Sequence, residues 1–154
     1  MVETETVLDY NSQTFQLPDG SYVICEFLDT SGHEKYNAMI RQYYQRANCC
    51  VLVYDITRKD TFKECENYYK QEIIKYCKKG IKVLLIGNKE DLEKDRKVAK
   101  EEAKYFSLVN NYYFKETSCE SIFNVMEAFE TIILETYGDL RDFRNSKLDK
   151  YLNF

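Results

Sequence analysis

The chain has 154 residues, of which 44% are hydrophobic and 31% charged, and its formal net charge is -4. That length fits a single domain of ordinary globular composition. So even a charge balance names neither nucleic acid nor an acidic membrane as a default partner. The opening MVETETVLDY has no basic start followed by an apolar run, so no signal peptide is read. Runs such as CCVLVY and VLLIG are too short to span a bilayer. The six cysteines are Cys25, Cys49, Cys50, Cys65, Cys77 and Cys119. Without a C-x-x-C pair they argue against zinc and for free thiols in a reducing, cytoplasmic setting.

Taken in chain order, Gln13 to Leu17 and Tyr22 to Leu28 flank Pro18-Asp19-Gly20-Ser21, the pattern of a β-hairpin. Glu34 to Arg46 follows as a helix. Cys49 to Tyr54 is a continuous apolar run, as expected of a strand buried on both faces. Thr61 to Lys78 reads as a helix, with Phe62, Cys65, Tyr69 and Ile73 on one side and Gly80 as its C-cap. Ile81 to Ile86 is a second buried strand, Lys100 to Val109 a helix, and Tyr112 to Lys115 a short strand. Ser121 to Tyr137 is an amphipathic helix with Ile122, Val125, Met126, Phe129, Ile132 and Ile133 on one face. Gly138 is expected to close it, leaving residues 139–154 as a C-terminal extension. Strands alternating with helices imply a parallel sheet covered on both faces, the α/β class.

Three polar clusters follow strands, and in open α/β sheets ligands bind beyond the carboxyl ends of the strands. The first is Asp29-Thr30-Ser31-Gly32-His33-Glu34. Asp29 suits a hard cation such as Mg²⁺, and Gly32 lets a backbone N–H approach a phosphate. A strand-to-helix turn capped by Asp or Ser is the competing reading. The second is Gly87-Asn88-Lys89-Glu90-Asp91. Guanine offers two adjacent donors, N1–H and the 2-amino group, and the two oxygens of Asp91 match them. Adenine would leave that carboxylate partly unpaired, and a good bidentate base contact discriminates by about 1–3 kcal/mol. The stem of Lys89 can lie over a base while its ammonium stays wet. A plain Asn/Asp turn is the alternative. The third is Glu116-Thr117-Ser118-Cys119, whose backbone N–H groups could meet the guanine O6 acceptor or whose side chains could cap the next helix.

In order and spacing these clusters resemble the Ras superfamily of small GTPases over about residues 4 to 136. Asp29-Thr30-Ser31-Gly32 is similar to the family's DTAG, Asn88-Lys89-Glu90-Asp91 to its NKxD, and Glu116-Thr117-Ser118-Cys119 to its ETSA. Glu34 to Met39 resembles the Ras switch II helix, Val53-Tyr54-Asp55-Ile56-Thr57 a Rab strand, and Thr6 to Tyr10 the switch I segment. The resemblance implies a three-layer, P-loop NTPase-like G domain with a mostly parallel sheet over residues 1–138. It implies GTP or GDP and Mg²⁺ as cofactors, with Thr6 and Asp29 at the metal. Thr6, Asp29, Gly32, Asn88, Lys89, Asp91, Ser118 and Cys119 would hold the nucleotide. His33 stands where the family's water-orienting Gln is usual. Effector or regulator proteins are expected on the Thr6–Tyr10 and Gly32–Arg46 segments, with no nucleic acid and no lipid anchor.

The 154 residues contain no G-x-x-x-x-G-K-[ST]. That motif supplies the phosphate cradle and a hydroxyl for Mg²⁺. The expectation is therefore an N-terminally incomplete domain, short by about 25–30 residues of strand, loop and helix. Nucleotide binding and hydrolysis would be impaired, by the missing loop and by His33. The alternative function is a nucleotide-independent interaction module presenting Tyr36, Met39, Tyr43 and Tyr44.

Overall fold

The computed structural model describes the backbone of residues 8–30 and 37–152 and the side chains of residues 10–30 and 40–138. The chain divides after Arg46 into two compact units. In the first, β1 (Leu8–Gln16) and β2 (Tyr22–Thr30) form an antiparallel pair with Gln16 opposite Tyr22 and Leu8 opposite Thr30. The Gly20 N–H bonds the Leu17 carbonyl at 2.9 Å, closing a turn with Pro18 at its second position. Asp19 Oδ1 accepts from the Ser21 N–H at 3.0 Å and the Ser21 hydroxyl at 2.5 Å. Gly20 has φ +82, a conformation that side chains disfavour. β2 outruns the predicted Tyr22–Leu28, and β1 begins well before the predicted Gln13 but stops one residue short of Leu17, because pairing carries through the polar residues at the far ends and yields to the turn at the near one. Of the helix read over Glu34–Arg46, residues 37–46 are described: α1 covers Asn37–Tyr44, with Ile40 buried, and then gives way to a turn closed by the Arg46 N–H on the Tyr43 carbonyl at 3.0 Å.

The second unit holds a parallel sheet in the order β3-β4-β5, with β3 Cys49–Asp55, β4 Lys82–Asn88 and β5 Tyr113–Thr117. Between β3 and β4, α2 (Lys59–Glu64), a π-helical turn (Cys65–Tyr69) and α3 (Lys70–Tyr76) run on as one rod. Helix α4 (Lys100–Val109) joins β4 to β5, and α5 (Ile122–Leu152) follows. Alternate residues of β4 point to opposite faces. Val83 and Leu85 join Leu52, Tyr54, Phe62, Ile73 and Phe106 in one core. Leu84 and Ile86 meet Ala128 and Ile132 of α5 in the other. The unit is therefore helix, sheet, helix, the expected three layers. Edge-to-face contacts link Tyr54, Phe62, Phe106 and Tyr112, with centroids 5.0, 5.7 and 5.9 Å apart. Such pairs add about 0.5–1.5 kcal/mol each beyond area burial.

Several boundaries differ from the sequence reading. The apolar run of β3 is not buried on both faces: Val53 is 55% exposed, since among the described residues β3 pairs only with β4. The rod ends at Tyr76, because Cys77 is extended at φ -82, ψ 164. Gly80, with φ +80, sits instead in a turn closed by the Ile81 N–H on the Lys78 carbonyl at 3.1 Å. Gly138 does not close α5, which runs on to Leu152. Ile122, assigned to the buried face, is 75% exposed at the first turn, ahead of the packed stretch around Ala128 and Ile132.

Gly87 is closely hemmed in by β3 and β5 side chains. A Cβ there would lie 2.6 Å from the Tyr54 hydroxyl oxygen, 2.9 Å from its ring carbon and 3.2 Å from Glu116 Cγ. Gly87→Ala is expected to lower stability by about 1–3 kcal/mol in urea denaturation. Tyr54→Phe removes a buried hydroxyl that has no hydrogen-bond partner, so it should be neutral or mildly stabilising and relieve part of the Gly87→Ala loss. Equal Gly87→Ala losses in both backgrounds would show that the hydroxyl is not the obstacle.

Candidate functional site

Register places Asp55 beside Asn88, and Asn88 beside Thr117, in one row at the carboxyl ends of β3, β4 and β5. The second and third clusters therefore meet there. Gly87, Asn88, Glu116 and Thr117, read as loop residues, belong to the strands. The ladder pairs backbone with backbone at these positions, so polarity does not end the pairing.

Beyond β4 the chain turns at Lys89, a non-glycine residue with φ 66 and ψ 40. A 3₁₀ turn over Glu90–Asp95 follows and carries Asp91. The left-handed Lys89 costs about 1–2 kcal/mol, so something must hold it. Its ammonium lies 2.6 Å from Asp55 Oδ2. Asp55 Oδ1 in turn accepts from the Thr57 N–H at 2.8 Å and the Thr57 hydroxyl at 2.7 Å. Burial pushes the Asp55 carboxyl up, but Lys89 and Thr57 together outweigh it and hold it below the usual aspartate range. The Lys89 ammonium, expected to stay wet, is thus ion-paired on a side chain that remains half exposed.

The two loops are tied directly. The Ser118 hydroxyl donates to Asp91 Oδ1 and accepts from the Glu120 N–H at 3.1 Å. A longer contact of 3.5 Å joins the Thr117 hydroxyl to the Asn88 side-chain oxygen. Thr117 and Ser118 are buried, whereas Lys89, Asp91 and Cys119 are exposed. A carboxylate has roughly four lone-pair sites. Ser118 uses one on Asp91, which leaves acceptor capacity on both oxygens for an exposed pair of donors. Two such oxygens side by side can take two adjacent N–H donors of a planar group. Among the described residues no three His, Cys, Asp or Glu side chains are grouped to hold a metal.

A brace that sequence reading passed over lies beneath. The Glu116 side chain is 1% exposed and meets Arg96 Nη1 at 2.7 Å and Lys100 Nζ at 2.8 Å. Arg96 Nη2 also donates to Glu116 Oε2 at 3.1 Å, and its Nε to Glu93 at 2.8–2.9 Å. One guanidinium so links the turn bearing Asp91 to the strand bearing Thr117. Burial pushes the Glu116 carboxyl up, yet Arg96 and then Lys100 pull it below the usual glutamate range. Nothing local marks Arg96 or Lys100 in the sequence. Asp55 carried a usable signal, since Asp-x-Thr is an Asx-turn pattern.

Of the other residues singled out, Asp29 lies in the first unit, within β2 rather than after it, opposite Asp9. Thr6, Gly32 and His33 fall outside the described residues, as do Thr6 and Val7 of the first switch-like segment and residues 32–36 of the second.

Arg96→Met should cost about 3 kcal/mol, because it leaves a buried carboxylate with one of its two cations. Adding Glu116→Gln should recover part of that. A lowered folded-state pKa stabilises above the unfolded value and fades as pH falls through the folded one. The stability gap between wild type and Glu116→Gln should therefore be full above about pH 4.3 and shrink below it. Urea midpoints measured from pH 7 to pH 3 would show this, and a gap independent of pH would refute it.

Comparison with known proteins gives one consistent answer. A family model described as Ras family matches residues 2–137. Ras-related protein Rab-2B of Dictyostelium discoideum is 39% identical over 123 residues, 80% of this chain and 60% of the relative. Ras-related protein Rab-17 of Mus musculus is 35% identical over 136 residues, 86% and 60% of the two chains. Ras-related protein RABA5b of Arabidopsis thaliana is 35% identical over 133 residues, again 86% and 60%. The chain spans about 60% of the length of these curated relatives.

Proposed function

The chain belongs to the Ras family, and from that premise we propose that it serves as a guanine-nucleotide switch whose base-reading site is Asn88, Lys89, Asp91, Ser118 and Cys119. The observation that carries this is the hydrogen bond from Ser118 to Asp91, which joins the two loops beyond strands held in register. Asp91 takes the guanine N1–H and 2-amino group. The exposed stem of Lys89 covers the base, and the backbone N–H groups at Ser118–Cys119 face O6. Asp29 with Thr6 would hold Mg²⁺, Gly32 would serve the terminal phosphate and His33 would orient water. Effectors and regulators meet the Thr6–Tyr10 and Gly32–Arg46 segments.

For these 154 residues, which contain no G-x-x-x-x-G-K-[ST], base contacts carry the affinity. A bidentate base contact is worth about 1–3 kcal/mol and stacking about 1–3 kcal/mol. Their sum matches a Kd of roughly 1 mM. Guanosine, GMP and GDP should therefore bind within a few-fold of one another, and adenosine about tenfold or more weakly. Amide shifts in an NMR titration at millimolar ligand would read this, with the largest changes at residues 88–91 and 118–119. Asp91→Ala should abolish binding. Asp91→Asn offers one donor and one acceptor, so preference should pass from guanine to xanthine, which has an N1–H beside a 2-oxo group. GDP binding far more tightly than guanosine would place the affinity elsewhere. A folded chain that ignores every base would instead support a nucleotide-independent interaction module.

A further inference from the structure

Cys50 is the second residue of β3, and Cys77 caps the far end of α3. Their sulfurs lie 3.6 Å apart, in van der Waals contact. Both thiols are free, and both residues are partly buried at the margin of the core. We infer that Cys50 and Cys77 form a dithiol modification site, which closes to an intramolecular disulfide on reaction with a low-molecular-weight disulfide of the glutathione class.

The geometry favours closure over simple capping. Sulfurs already in contact need only approach to the bonding distance of about 2 Å. Residue 77 is in extended backbone at the helix cap, tied to α3 by its N–H on the Ile73 carbonyl at 3.0 Å, so its sulfur is held beside Cys50 from a fixed anchor. Either sulfur can be the donor in this contact. The one that loses its proton attacks, since the thiolate is the nucleophile. It forms a mixed disulfide with one glutathione and expels the other as a thiolate, which takes up a proton. The second cysteine then loses its proton and attacks the sulfur of the first, expelling the remaining glutathione. The protein is oxidised by two electrons, and one glutathione disulfide becomes two glutathiones.

The competing thiols are arranged differently. Cys49 follows the opposite face of β3 and packs against the core with Leu84 and Ala128. Cys65 is buried, and burial raises its thiol to about 12. Cys119 is exposed.

The test treats the full chain with glutathione disulfide, alkylates remaining thiols and maps a tryptic digest by mass spectrometry. The expected product has lost two hydrogens and alkylates at four of its six cysteines. Peptide 47–58 should be linked to peptide 76–78. The link should survive Cys49→Ser and vanish in Cys50→Ser. Oxidation should also raise the thermal midpoint of the wild type by about 5–10 °C, and not that of Cys77→Ser. An unchanged mass, glutathione retained on Cys50 or Cys77 without closure, or a link that persists in Cys50→Ser would each overturn the assignment. Mapping on the wild type decides the matter even if a variant folds poorly. None of these readouts involves nucleotide.

Discussion

Everything at the candidate site depends on the parallel register of three strands. Asp55, Asn88 and Thr117 stand in one row because β3, β4 and β5 are paired without offset at their carboxyl ends. The two cores hold that register. Val83 and Leu85 belong to one core, Leu84 and Ile86 to the other, and a slip of one residue would turn every side chain of β4 over. Four wholly or nearly buried aliphatic side chains are then misplaced at once, each worth about 1.5–3 kcal/mol of burial. The apolar interior thus fixes where polar residues emerge, and Gly87 sets how closely β3 and β5 side chains crowd the strand between them.

Three polar links finish the site, and they are not equal. The Lys89–Asp55 pair is half exposed on the lysine side, so its net stabilisation is about 1 kcal/mol or less. It serves to hold a left-handed backbone and the direction of the lysine stem. The Glu116 links weigh far more, because the carboxylate is buried and has two cations within 3 Å. Such a cluster gains little net energy over an apolar substitute, yet breaking it is costly. Its value lies in geometry: Arg96 spans from Glu93 to Glu116 and so locks one loop to the neighbouring strand.

The sequence made the sheet legible because buried strands are long apolar runs, and VLVY and VLLI admit few other readings. It made the motif positions legible because polar clusters follow those runs. Strand ends were not legible: Asn88, Glu116 and Thr117 look like loop residues, but a ladder bonds backbone and is indifferent to their side chains. Gly138 misled because a helix interior tolerates glycine at a cost of only about 1 kcal/mol. Ile122 misled because periodicity marks a face without saying where along it the packing begins. Arg96 and Lys100 were invisible since their partner, Glu116, comes near only when the sheet forms. Ser118 was flagged for its backbone, yet its hydroxyl makes the link to Asp91.

That hydroxyl bears on how an exposed carboxylate could read a base on the proposed assignment. An untethered surface Asp loses side-chain freedom on binding, about 0.5–1.5 kcal/mol for an immobilised side chain. This is a large part of the 1–3 kcal/mol that a bidentate contact returns. Ser118, buried and anchored by the Glu120 N–H, takes up that cost during folding. The cysteine pair stands apart from this economy. Cys50 precedes Asp55 by five residues of extended strand, roughly 16 Å, and its partner sits at the end of α3 remote from the row. A crosslink there stiffens the strand at its entry while the row at its exit keeps the geometry that register imposes.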